Sequence, residues 1–346
     1  MFKTVCSEEH RQHFPKGELF GGELVRPFEC PERWDYIKTA LTNSGHTDFL
    51  EPIEVKHEHL AQIHSEDFLT FLKNAWQEWQ ATGYKGEALP SVFPNRRMQQ
   101  RIPEFIDGKL GYYAMAIETA ITAGTWQATL SSAGCAVRAQ QMVSAGEREV
   151  FALCRPPGHH AASDLYGGYC FLNNAALAAQ GFLNDGAKRV AILDVDFHHG
   201  NGTQDIFYHR NDVMFLSLHG DPKDAFPHFL GYADETGAAD GEGYNFNYPM
   251  PPGTSFSAWR DCLTSACSEI QGFAPDALVI SLGVDTYEKD PISFFKLLSD
   301  DFVTCGKQIA DLDLPTLFVM EGGYAVQEIG TNTVNVLNGF GGYSQS

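Results

Sequence analysis

Residues 190–205 read VAILDVDFHHGNGTQD. The opening VAIL is an apolar run with β-branched members, the composition of a strand buried on both faces of a parallel sheet. It ends in Asp194, Asp196, His198 and His199. Charged groups at the end of a buried strand cost several kcal/mol unless something there neutralises or uses them. A bound metal ion would do both.

Other apolar runs surround this one in the second half of the chain. EVFALC (149–154), DVMFLSL (212–218), ALVISLGVD (277–285) and TLFVMEGG (316–323) read as strands. Between them lie helix-like stretches such as FLNNAALAAQGFLND (171–185), FSAWRDCLTSACSEIQGF (256–273) and DFVTCGKQIADL (301–312). The alternation predicts an α/β fold: an open, mostly parallel, multi-stranded sheet with helices on both faces. The first half reads as more helical, with helices expected over residues 66–80 and 109–123. Between these, residues 81–108 carry three prolines and no clear element, so a functional loop is expected there.

The chain has 346 residues, with 44 acidic against 24 basic and a formal net charge of −20. Such a surface repels phosphate backbones and attracts cations, which argues against nucleic-acid binding. No run of 18 apolar residues is present and the N-terminal MFKTVCSEEHRQHF is too polar for a signal peptide, so no membrane association and a cytoplasmic location are expected. The eight cysteines contain no CxxC pair and are expected as free thiols. The Asn201-Gly202-Thr203 sequon is coincidental in that setting. No linker divides the chain, so residues 1–346 read as a single domain with an insertion loop at about 81–108.

In open α/β sheets ligands bind outside the carboxyl ends of the strands, and every unusual polar cluster falls at such an end. RPPGHH brings His159 and His160; the quoted stretch brings Asp194, Asp196 and His198; further strand ends bring Ser217, His219, Asp285 and Tyr324. Asp196, His198 and Asp285 offer two carboxylates and an imidazole, and with a water they make an open catalytic coordination sphere. The donors suit Zn2+, and also Fe2+ or Co2+. Taken alone, DxDxHH also fits a capping or ion-paired cluster; the other strand ends favour the metal. The Pro-Pro-Gly before His159 and His160 stiffens their turn and places both imidazoles opposite the metal candidate, where a base and an acid are needed.

RPPGHH, GYCFLNNAA, LDVDFHHGNGTQDIF, SLHGDP, LGVDTYEKDP and EGGY resemble the zinc-dependent deacetylases of the arginase/deacetylase superfamily. ELFGGELVRPFECPER, GYKGEA, FPHFLGYADETG and DPISFFKL further resemble the bacterial acetylpolyamine amidohydrolases. That resemblance covers nearly the whole chain. It implies Asp196, His198 and Asp285 as zinc ligands, His160 as general base and acid, His159 with Asp194 as its electrostatic partner, and Tyr324 as donor to the substrate oxygen. It implies Asn201 behind His160, where class I histone deacetylases carry an aspartate, making His160 less basic. Tyr169 and Phe226, with Gly168, match the substrate channel, and Asp107 and Glu118 match acidic positions near the distal ammonium groups. Read without the resemblance, Asp107 also suits a helix cap and Glu118 a solvated helix residue. The resemblance further implies a structural K+ or Na+ near Asp194 and Ser217. It also implies a homodimer in which residues 81–108 pack against the second subunit and narrow the entrance.

The expected reaction is metal-dependent hydrolysis of acetylputrescine, acetylcadaverine, acetylspermidine and similar amides. Ile292 stands where the eukaryotic polyamine deacetylase resembling this family has a gatekeeper glutamate, so selectivity must come from loop and dimer geometry. The alternatives are a deacetylase of acetyl-lysine proteins or other small acyl-amines, an arginase-like two-manganese enzyme, and a non-catalytic polyamine sensor. His199 is left without a ligand role and is expected to pack behind the site.

Overall fold

The computed structural model describes residues 1–342. In it the apolar runs become the centre of one eight-stranded sheet made by β1 (Lys3–Val5), β4 (Asp48–Leu50), β5 (Glu149–Ala152), β6 (Val190–Asp194), β7 (Val213–Gly220), β8 (Asn245–Met250), β9 (Ala277–Leu282) and β10 (Thr316–Met320). Their spatial order is β4-β1-β5-β10-β9-β6-β7-β8, and every neighbouring pair is parallel. A separate antiparallel ribbon pairs β2 (Glu18–Phe20) with β3 (Glu23–Val25).

Alternate residues of each central strand enter two different cores, because successive side chains leave opposite faces of a pleated strand. Val150, Ile192, Val279 and Val319 pack with α3 (Glu66–Ala81), α5 (Thr125–Ser144) and α6 (Asn174–Asn184). Phe151, Leu193, Ile280 and Phe318 pack with α1 (Pro31–Asn43), α8 (Phe256–Phe273), α9 (Asp301–Ala310) and α10 (Ile329–Gly341). Short helices α2 (His57–Leu60), α4 (Ile106–Tyr113) and α7 (Asn201–Phe207) complete the set. Each fully buried aliphatic side chain contributes about 1.5–3 kcal/mol. Among the described residues no helix is long and apolar enough to cross a membrane, and all eight cysteines are free.

The expected parallel α/β sheet is present, and it is wider than the sequence suggested. β1, β4 and β8 were not expected. The first two are three residues long, and β8 is an edge strand of mixed polarity with a proline in it, all weak signals. The helix expected over 109–123 is not there as such. α4 stops at Tyr113 because the next backbone groups bond elsewhere: Met115 N–H donates to Tyr166 O at 2.8 Å, and Ile121 exchanges bonds with Ala88. The long helix follows as α5, which is buried on most sides and so shows little amphipathic periodicity. Glu118 therefore lies on a loop, not on a solvated helix face. Asp107 sits inside the first turn of α4, whose cap residue is Phe105, so Asp107 does not cap it either.

Replacing Ile280 by Ala at the centre of β9 should cost about 2–5 kcal/mol, as a cavity there has no solvent to fill it. Denaturant midpoints of the two proteins measure it; a change under about 0.5 kcal/mol would contradict the packing described.

Candidate active site

β5, β10, β9 and β6 stand side by side in the sheet, so the segments leaving their carboxyl ends converge without long connections. β5 leads into the turn with His159 and His160, β10 into Glu321 to Tyr324, β9 into Asp285, and β6 into Asp196 and His198. Between β6 and β5 the chain crosses over β9 and β10, and such a crossing point opens a crevice in the sheet.

One ligand atom from each of Asp196, His198 and Asp285 lies within 4.8 Å of the others, and all three residues are buried. His198 Nδ1 is 2.9 Å from Asp285 Oδ2 and 3.3 Å from Asp196 Oδ1. Two ligands of a tetrahedral zinc ion lie about 3.4 Å apart, so these atoms fit around one cation. The remaining carboxylate oxygens are occupied: Gly322 N–H donates to Asp196 Oδ2 at 2.7 Å and Phe197 N–H to Asp285 Oδ1 at 2.7 Å. A Cβ at position 322 would lie 2.4 Å from Asp196 Oδ2 and 2.7 Å from Asp285 Oδ2, so only glycine lets the backbone come this close. Burial, and then the charge of Asp196, push Asp285 up to about 8. Two carboxylates in so dry a place need a cation between them, and the donor set fits a divalent ion of the zinc type.

The two histidines differ in state because their partners differ. His159 Nδ1 donates to Asp194 Oδ2 at 2.9 Å. Burial works to lower its pKa, but the charges of Asp194 and Asp196 outweigh it and raise it to about 10. His160 Nδ1 donates to Asn201 Oδ1 at 2.7 Å. The Asn201 amide is fixed that way round because its NH2 faces Met115 Sδ and His160 O. Burial, and then the neighbouring His159 and His198, hold His160 well below the usual imidazole range. It therefore stays neutral, with its Nε2 lone pair directed away from Asn201.

Tyr324 lies across the site, its ring 6.4 Å from that of His198 and 5.6 Å from that of Tyr169. The Arg33 guanidinium sits 4.9 Å over its face. Burial pushes the Tyr324 hydroxyl well above its usual value, so it keeps its proton. In front of these groups opens a cavity of about 450 Å³, reached by His160, His198, Tyr324, Tyr169, Phe226 and Gly168. Gly168 has a φ of +55°, and a Cβ there would lie 2.3 Å from His160 Cδ2; it also donates its N–H to Glu118 Oε1 at 2.8 Å.

Of the expected substrate residues, Tyr169, Phe226, Gly168 and Glu118 line this cavity, and Asp107 does not. Ser217 is register partner of Asp194 across β6 and β7 and its hydroxyl bonds His219 Nδ1 at 2.9 Å. His199 is buried behind the site on Gln204 and Asn247. Glu18 was not expected at the site; it lines the cavity from β2, accepts from the Tyr169 hydroxyl at 3.1 Å and is 2% exposed. Leu19 and Phe20 were not singled out either; they line the walls together with Ile292, which stands at the expected gatekeeper position. The one usable signal was the Gly21-Gly22 turn of ELFGGELV, a hairpin mark.

Buried carboxylates and an imidazole at the strand ends, a neutral histidine base and a protonated tyrosine define a metal-dependent hydrolase. Its family is set by comparison: the chain belongs to the histone deacetylase domain family, which matches residues 27–340, and is a hydrolytic deacetylase. The chain is 54% identical over 340 residues to the acetylpolyamine amidohydrolase of Mycoplana ramosa, covering 98% of this chain and 100% of that one. It is also 54% identical over 339 residues to acetylpolyamine amidohydrolase 2 of Pseudomonas aeruginosa, covering 98% of each. Among solved structures, the acetylpolyamine aminohydrolase of Burkholderia pseudomallei superposes with a TM-score of 0.94 at 38% identity, over 99% of both chains.

Gly168→Ala should lower kcat/KM about 100-fold, since a methyl group there displaces the His160 ring and misplacement of about 1 Å has that effect. Steady-state kinetics with metal content held equal decide it; unchanged kcat/KM would mean the turn yields without moving His160.

Proposed function

We propose that the chain hydrolyses N-acetylated polyamines, such as acetylputrescine, acetylcadaverine and acetylspermidine, to acetate and free amine. The observation that carries this is the pair of carboxylates, Glu18 and Glu118, in the wall of a cavity otherwise rich in aromatic and aliphatic side chains. An acetylated polyamine offers an apolar chain for those walls and a distal ammonium for the carboxylates. An acetyl-lysine within a peptide offers no second cation. Exposed Asp224 at the same cavity and the net charge of −20 draw a cation in. The names of the similar proteins support the same substrate class.

Asp196, His198 and Asp285 would hold the metal, Zn2+ or else Fe2+ or Co2+; when bound it supplies Lewis acidity toward an amide carbonyl and toward water. His160 Nε2 takes the proton of the attacking water and returns it to the leaving nitrogen, while Asn201 holds the ring in the tautomer that allows this. Protonated His159, anchored by Asp194, adds positive charge beside the reacting centre and keeps His160 neutral until the proton arrives. The Tyr324 hydroxyl donates to the carbonyl oxygen as negative charge builds there. Tyr169 and Phe226 flank the chain, and Gly168 lets the substrate and His160 share one wall.

The same reading takes residues 1–346 as one cytoplasmic catalytic domain, and places K+ or Na+ beside the register partners Asp194 and Ser217. It also makes the enzyme a homodimer through residues 81–108, supported by the exposed Val92, Met98, Ile102 and Phe105 on that segment. Asp107, outside the cavity of one chain, would act on substrate only if the dimer brings it there.

Tyr324→Phe should lower kcat on acetylated diamines by about 100-fold, the usual effect of losing one oxyanion donor, and a panel should show acetylpolyamines preferred over acetyl-lysine peptides. Wild-type kcat would refute the oxyanion role, and preference for peptides would refute the substrate. A second expectation concerns pH. Burial raises Glu18 to about 7, so it loses its charge as pH falls below that value. KM for an acetylated diamine should climb as pH drops through about 7, while KM for an uncharged N-acetyl alkylamine stays level; parallel profiles for the two would contradict it.

A further inference from the structure

Asp290 lies on the loop that leaves β9, further along than Asp285, and is buried. Among the described residues no side-chain cation pairs with it; its oxygens are filled by backbone. Oδ2 accepts the N–H of Tyr324 at 2.7 Å and of Ala325 at 3.2 Å, and Oδ1 accepts the N–H of Ile292 at 3.1 Å. Burial pushes Asp290 up to about 6 while these N–H groups pull the other way. A carboxylate kept in so dry a place without a cation is costly unless it organises something.

Two functional parts of the site meet on it. Tyr324 carries the hydroxyl assigned to the substrate oxygen, and its peptide N–H ends on Asp290. Ile292 belongs to the stretch Pro291 to Phe294 that lines the same cavity as Tyr169 and Glu118. The other side of the tyrosine loop is held independently, as Arg33 Nε donates to Gly323 O at 2.7 Å. The Tyr324 backbone is thus gripped at the carbonyl before it and at its own N–H.

We propose that Asp290 is a positioning residue for hydrolysis, tying the tyrosine that donates to the substrate oxygen to the cavity wall that holds the amine chain. This rests on the oxyanion role of Tyr324. Only a carboxylate can accept on both sides at once. An amide at position 290 must turn its NH2 toward one of the backbone N–H groups, so it can hold the tyrosine loop or the wall but not both.

The test is a double-mutant cycle on an acetylated diamine with Asp290→Asn, Tyr324→Phe and the double variant, each with metal content and thermal midpoint measured. Asp290→Asn should lower kcat about tenfold or more, the scale of a small misplacement of a catalytic group. In the Tyr324→Phe background it should produce no further fall in kcat, while its effect on KM, through Ile292, persists. A kcat loss that multiplies fully in both backgrounds overturns the proposal while leaving the Tyr324 role standing. Wild-type kcat for Asp290→Asn overturns it too. Wild-type kcat for Tyr324→Phe overturns both. Should Asp290→Asn not accumulate as folded enzyme, Asp290→Ser, which keeps one small acceptor, runs through the same cycle with the same outcomes.

Discussion

Two carboxylates buried side by side, Asp196 and Asp285, with an imidazole between them, are the constraint on which the structure depends. Their mutual repulsion in a medium of low polarity cannot be relieved by water. It is relieved by geometry: backbone N–H groups from Gly322 and Phe197 take the outer oxygens, and the inner ones converge where a cation fits. The parallel sheet makes this convergence possible, because it brings four strand ends to one edge with side chains buried on both faces. The glycines there follow from the same demand, since any Cβ would occupy space the carboxylates already fill.

Around that centre the chain assigns opposite charge states to adjacent residues with few atoms. His159 and His160 have ring centroids 4.0 Å apart, yet one faces a carboxylate and the other an amide oxygen. The difference keeps one protonated and the other ready to accept a proton. An aspartate in place of Asn201 would favour a second imidazolium beside the first. The amide gives no such help, and His160 stays neutral beside its charged neighbour.

The sequence showed the centre of this molecule better than its rim. β5, β6, β7, β9 and β10 were legible because strands buried on both faces are nearly all apolar, and their terminal charges stood out against that background. β1 and β4 were too short to show a pattern, and α5 too uniformly buried. The segment after Tyr113 read as helix because its spacing suits one, but its N–H groups find Tyr166 and Ala88 instead, partners only the fold supplies. In the site, residues displaced from an apolar run could be picked out. Glu18 and Asp290 could not: the first stands in a hairpin that resembles an exposed turn, and the second in a loop beside a proline. Both owe their surroundings to distant chain segments.

The grip of Arg33 on Gly323 O joins residues 290 positions apart. Arg33 is therefore made well before its partner exists. β1 likewise sits between β4 and β5, and β10 enters the middle of the sheet, between β5 and β9. Contacts of such long range are formed late and at high entropic cost. Asp196 and Asp285 likewise meet only when β6 pairs with β9, so the chain keeps its most repulsive residues apart until the sheet assembles around them.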